Sequence, residues 1–237
     1  MHLLSKMECP VVPPTDILDN DPLYDVNFIY KRSNGTKIYL SGRKEAQKEE
    51  WLIARSITAI VNVTNSVNNK FETTGLSVQH KRKETRYPVD YHRVGIEDSE
   101  GLSGALLLTA DDFFLLNQAT EWIQCRTAES KNVLVHCVSG KNRSVTILIA
   151  FMLRFEDPYV DMMDYYYFIG NQARRRLINN TPVMILSHDK GVGTKGSPGA
   201  FLKVLREYQK HLRGGKGKKK RKNIGEEEKE DEEMFIF

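Results

Sequence analysis

Two stretches of the chain are almost wholly apolar and rich in β-branched residues: "ITAIVNVT" (Ile57–Thr64) and "NVLVH" (Asn132–His136). Such runs suit strands covered on both faces. "KIYLSG" (Lys37–Gly42) predicts another short strand, ending in a glycine, and the rough alternation of Leu76–Ile96 predicts one or two more around a basic stretch. Helical spacing appears between these runs. "RKEAQKEEWLIARS" (Arg43–Ser56) offers Ala46, Trp51, Leu52 and Ala54. Leu102–Thr127 offers Leu107, Phe114, Leu115, Ala119 and Trp122 for a buried face. Ser144–Glu156 is a strongly apolar helix, Val160–Leu177 carries the tyrosines Tyr165–Tyr167 for packing and surface, and Gly199–Leu212 closes the fold. Strands alternating with helices predict an α/β domain with a central, mostly parallel sheet flanked by helices. Its bounds are expected at residues 28–212, between an extended lead-in (1–27, with Pro10, Pro13 and Pro14) and a basic-then-acidic tail (213–237). The tail has almost nothing apolar to bury, so disorder is expected there.

Composition narrows the function classes. The 237 residues are 40% hydrophobic and 28% charged, as in a soluble globular chain. No apolar run approaches the roughly 20 residues of a membrane helix, and the N-terminal "MHLLSKMECP" is too short a patch for a signal peptide. The three cysteines Cys9, Cys125 and Cys137 are odd in number and lack metal-ligand spacing, which favours a reducing, cytoplasmic setting. The net charge of +4 is too small to argue for nucleic acid by itself. The tail holds eight Lys/Arg and seven Asp/Glu; its run Lys218–Lys222 reads as a nuclear import signal, an anionic lipid or RNA contact, or a solvated run. "GVGTKG" (Gly191–Gly196) matches a dinucleotide fingerprint, but too little chain follows for the βαβ unit that fingerprint needs.

The chemistry concentrates in "HCVSGKNRS" (His136–Ser144), between the second apolar strand and the apolar helix. A strand–loop–helix unit converges backbone N–H groups on a point where negative charge is welcome. A thiol there, beside a guanidinium, can ionise at neutral pH. A loop wrapped around one phosphate returns Arg143 to the sulfur of Cys137, and its planar fork holds two phosphate oxygens at once. Gly140 permits the turn that points successive N–H groups inward.

His136-Cys137-x-x-Gly140-x-x-Arg143-Ser144 resembles the signature of the cysteine-dependent protein phosphatases, and most of all their dual-specificity group. The opening strand–helix–strand and the closing "ARRRLINNTPV…GAFLKVLREYQ" extend the resemblance over most of residues 37–212. It implies in-line attack by Cys137, with the phosphate held by Val138, Ser139, Gly140, Lys141, Asn142 and Arg143, and with no metal or cofactor. Ser144 would assist the sulfur as leaving group, and His136 would orient the loop and help keep the thiolate. The general acid implied is Asp98, 39 residues before Cys137; that spacing is long for the group, so extra residues are expected in the following helix or its approach. Glu97, Asp111 and Asp112 compete, the last two set back by lying within a helical pattern. The expected substrates are phosphotyrosine, and by extension phosphoserine/threonine, in phosphoproteins. Lys141 resembles a lysine of phosphoinositide phosphatases. With His80–Arg86 and Arg174–Arg176 it keeps a lipid or RNA 5′-phosphate substrate as the alternative, and a non-catalytic phospho-binding module stands third. Cys125 or Cys9 as redox partners of Cys137, and the insertion Ser187–Gly199, are left open by the sequence.

Overall fold

The computed structural model describes residues 27–80, 83–96, 102–173, 177–178, 181–182 and 199–214. The expectations for the lead-in, Cys9, Arg174–Arg176, residues 187–198 and Lys218–Lys222 therefore lie outside the described residues, as do Glu97 and Asp98.

In chain order the elements are β1 (Phe28–Lys31), β2 (Lys37–Ser41), α1 (Arg43–Ala46), α2 (Glu49–Ala54), β3 (Ile57–Asn62), β4 (Leu76–His80), β5 (Lys83–Tyr87), β6 (Asp90–Arg93), α3 (Leu102–Ala128), β7 (Asn132–His136), α4 (Arg143–Phe155), α5 (Met162–Ala173), β8 (Leu177–Ile178), β9 (Thr181–Pro182) and α6 (Gly199–Gly214). Five strands form the central sheet in the order β1-β2-β7-β3-β6. All its pairings are parallel except β1 with β2. The α/β class with a mostly parallel sheet is thus as the apolar runs predict. The two apolar runs, β3 and β7, pair with each other at the centre, where both faces are covered.

One face of the sheet carries α3, α4, α5 and α6 over a large core; the other packs Tyr39, Ile57, Ile60 and Leu134 against Leu52, Phe71 and Leu76. The alternating segment resolves into three strands, and its first two form a separate hairpin, β4–β5. The expected helix Arg43–Ser56 is two short ones, α1 and α2. Strand β1 and the small β8–β9 pair are additions to the predicted set. Of the tyrosines in α5, Tyr165 is buried while Tyr167 is exposed, in keeping with a packing role.

The expected single helix at Leu102–Thr127 is interrupted. Ala110 is extended (ψ 150°), and Asp111, Asp112 and Phe113 are left-handed, at φ 47°, 56° and 63°. The apolar stripe explains why. In an unbroken helix Leu108, Asp112, Leu116, Ala119 and Ile123 would share one face, because residues three and four apart stack. Leu108, Leu116, Ala119 and Ile123 are indeed fully buried. The break removes Asp112 from that face: its side chain is 80% exposed and pairs with His211 of α6 at 3.2 Å. Phe113 goes in instead, with its ring 5.2 Å from those of Tyr208 and His211.

Candidate active site

The parallel strands β2, β3 and β7 end on the same side of the sheet, the edge at which open α/β folds bind their ligands. His136 closes β7 there, in register with Ser41 of β2 and Asn62 of β3. The chain then turns through Cys137–Asn142 and enters α4 at Arg143. Gly140 sits at φ +69°, the left-handed conformation the turn requires.

The sulfur of Cys137 lies inside this turn. The Gly140 N–H donates to Sγ at 3.2 Å, and the Ser144 hydroxyl donates to it at 3.3 Å. Burial of Cys137 is the largest influence on its thiol and pushes it up. The hydroxyl and N–H of Ser144, the Arg143 charge and the Gly140 N–H together outweigh it, so the thiol ionises below its ordinary range. Arg143 is itself buried, and its Nη1 donates to the Ile96 carbonyl at 2.9 Å. That bond ties the cradle to the strand exit that leads into Glu97 and Asp98.

His136 is buried, and its Nδ1–H donates to the Cys137 carbonyl at 3.3 Å. Burial above all, seconded by the Arg93 charge and opposed by that hydrogen bond, pushes it down to about 4. His136 is therefore neutral at physiological pH. Its hydrogen bond to the Cys137 carbonyl is a contact through which it could orient the loop, whereas a neutral imidazole brings no positive charge to the sulfur.

Supporting groups that the sequence reading missed surround the turn. The Arg43 N–H donates to the Val138 carbonyl at 2.9 Å. A Cβ on Gly42 would stand 3.0 Å from the same oxygen, so a larger residue there would push the β2–α1 turn and the cradle apart by a few tenths of an ångström. The glycine after a predicted strand was the available signal. On the other side Asn62 donates to Val67 O and Asn69 Oδ1, both at 2.7 Å. Arg93 donates to the carbonyls of Thr64 and Val67 at 2.6 and 3.0 Å, fixing the loop after β3 next to His136.

The structure thus gathers Cys137, Gly140, Arg143, Ser144 and His136. Val138, Lys141 and Asn142 are half-buried in the same turn, and Ser139 is exposed. Asp111 and Asp112 are at a break rather than within a helix, so their predicted setting is corrected; Asp112 is engaged with His211. Cys125 is exposed on α3, next to the Arg126 that pairs with Asp90 at the start of β6. That is the end of the sheet opposite Cys137.

The sequence pattern of the dual specificity phosphatase catalytic domain matches residues 38–186, more than half of the chain. The chain belongs to the dual specificity phosphatase family. Among its relatives, rat dual specificity protein phosphatase 5 is 29% identical over 117 residues, 49% of this chain and 25% of that protein. Human dual specificity protein phosphatase 9 is 30% identical over 117 residues, with the same shares of 49% and 25%. The match spans about a quarter of the length of these curated relatives. The crystal structure of human DUSP28 is similar in fold, with a TM-score of 0.50 at 14% identity, covering 85% of this chain and 97% of that one. No helix among the described residues is long and apolar enough to cross a membrane.

Proposed function

We propose that this dual specificity phosphatase domain hydrolyses phosphotyrosine, and phosphoserine/threonine by extension, in protein substrates through a phosphocysteine intermediate. The observation that carries the reading is the Cys137 sulfur held by the Gly140 N–H and the Ser144 hydroxyl under the charge of Arg143. The Cys137 thiolate attacks phosphorus and forms an S–P bond as the P–O bond to the substrate breaks. Arg143 and the N–H groups of the turn bear the negative charge on the non-bridging oxygens. Asp98, as a carboxylic acid, gives its proton to the departing oxygen. In the second step the Asp98 carboxylate takes a proton from water, whose oxygen attacks phosphorus. The S–P bond breaks and the thiolate leaves as inorganic phosphate forms. The hydrogen bond from Ser144 stabilises the departing sulfur. His136, neutral, holds the Cys137 carbonyl and so the orientation of the turn.

Turnover of para-nitrophenyl phosphate and of a phosphotyrosyl peptide by wild-type and Cys137→Ser protein tests this. The variant loses activity by roughly 10⁴-fold or more on both substrates, as removal of a nucleophile does. A variant as active as the wild type would end the reading. Release of phosphate from phosphoinositides or RNA ends alone, with none from any phosphopeptide, would replace the protein substrate.

A further inference from the structure

The last residues of the parallel strands lie side by side where the cradle begins. Ser41 of β2 is in register with His136 of β7, His136 with Asn62 of β3, and Asn62 with Arg93 of β6. Side chains in lateral register share a face of the sheet, so the four make one polar row. Each holds a carbonyl of a loop that leaves the sheet: Ser41 that of Gly42 at 2.9 Å, His136 that of Cys137, Asn62 that of Val67, and Arg93 those of Thr64 and Val67. Ser41, His136 and Asn62 are buried, whereas Arg93 closes the row at the sheet edge, exposed and charged. After burial, its charge is what keeps His136 from protonating.

The loop that Arg93 holds reaches back to the chain just beyond Arg93. Asn65 donates from Nδ2 to the Gly95 carbonyl at 3.3 Å, and its amide lies so close over Gly95 that a Cβ there would collide with it. At Gly95 the chain turns tightly, with the Ile96 N–H on the Val94 carbonyl at 2.8 Å. The next carbonyl, that of Ile96, takes the bond from Arg143. Arg93 to Thr64 and Asn65 to Gly95 thus form a reciprocal staple, and the guanidinium of the cradle is its next link. Resting on the phosphatase reading above, we propose that Arg93, with Asn65, is a positioning residue of the cradle: by fixing the Ile96 carbonyl it aims the Arg143 guanidinium. Arg93 itself touches no substrate. A looser staple lets the Ile96 carbonyl shift, and a fork that must meet two oxygens at once is sensitive to small displacements.

The test uses the full chain and two readouts. One is kcat/KM for para-nitrophenyl phosphate; the other is the calorimetric affinity for tungstate, a phosphate-shaped oxyanion whose binding needs no turnover. Arg93→Met lowers kcat/KM by roughly tenfold and tungstate affinity by roughly threefold to tenfold. Asn65→Ala, a truncation at an exposed position, lowers both by roughly twofold to threefold and carries the test should Arg93→Met not fold. In an Arg143→Lys background the bond to Ile96 is already lost, so there Arg93→Met adds no more than about twofold. A role confined to stability predicts the full loss in that background too. The His136 titration, followed by NMR, moves up from about 4 in Arg93→Met because a neighbouring positive charge is gone. Unchanged kcat/KM and tungstate affinity in both variants, or a full further loss in the Arg143→Lys background, overturns the proposal. An unmoved His136 titration in Arg93→Met overturns the place given to Arg93 in the row. If the wild type turns over no phosphate ester, the catalytic reading falls, and the tungstate affinities alone decide the staple.

Discussion

In the cradle, Cys137, His136, Arg143 and Ser144 are buried to between 0 and 2% residual exposure, each with a hydrogen-bond partner. In α3 the chain does the reverse with Asp112: it sends the carboxylate to the surface and accepts three left-handed residues to do so. That backbone costs about 1–2 kcal/mol per residue. An unpaired carboxylate within the stripe of Leu108 and Leu116 would cost several kcal/mol, and burial of Phe113 adds about 1.5–3 kcal/mol in favour of the break. The comparison teaches that this domain keeps polar groups inside only where neighbours answer them. The cradle meets that condition by pointing the Gly140 N–H and the Ser144 hydroxyl at the sulfur and the Arg143 guanidinium at the Ile96 carbonyl. A buried guanidinium beside an ionisable thiol is the arrangement on which the proposed phosphate chemistry rests.

Arg143→Lys and Asp98→Ala give the largest effects expected on the cradle side of the comparison short of removing Cys137. In Arg143→Lys the bidentate hold and the bond to Ile96 O are both lost, and kcat falls roughly 10²–10³-fold on an aryl phosphate. Asp98→Ala gives a loss of roughly 10²–10⁴-fold as expected of a general acid, whereas Asp112→Ala leaves kcat within about twofold. If Asp112→Ala produced the larger loss, the roles given to these two carboxylates would be exchanged. On the α3 side, Phe113→Ala lowers stability by about 3 kcal/mol in denaturant unfolding. A change below about 1 kcal/mol would show that Phe113 is not what the break secures.

Smaller effects concern protons. Alkylation of Cys137 by iodoacetamide should follow a pH profile with its midpoint below the ordinary thiol value of about 8.5. Ser144→Ala moves that midpoint up, because the hydroxyl that stabilises the thiolate is gone. His136 titrates at about 4 in the folded chain, against about 6.5 in the unfolded chain. Its contribution to stability is thus fully present above pH about 6.5 and is lost as pH falls towards 4, since the unfolded chain binds the proton first. Chemical unfolding of the wild type and His136→Gln across that window isolates the effect as a difference, with the variant showing the flatter profile.

The legible parts of the molecule were those fixed by short-range pattern. The runs of β3 and β7 are apolar on both faces, so their existence as strands covered on both sides followed from composition alone, while their place in the strand order did not. The Cys137–Ser144 turn was legible because one contiguous segment carries the cysteine, the turn glycine and the arginine. The interruption of α3 was not, because nothing local forbids a helix through "TADDFF"; Asp112 becomes a difficulty only once Leu108 and Leu116 are known to face the core. The two short helices in Arg43–Ser56 and the contact of Gly42 with Val138 likewise depend on how distant segments meet. Neutrality of His136 was hidden for the same reason, being set by burial and by Arg93 from another strand.

The central claim, that Cys137 becomes phosphorylated during turnover, is tested most directly by rapid acid quench and intact-mass measurement of the Ser144→Ala variant mixed with a phosphotyrosyl peptide. Slowed departure of the sulfur should let the intermediate accumulate, giving the mass increment of one phosphoryl group, located on Cys137 by peptide mapping and absent from Cys137→Ser. Rapid product release with no adduct at any time, or an adduct on another residue, would contradict the account.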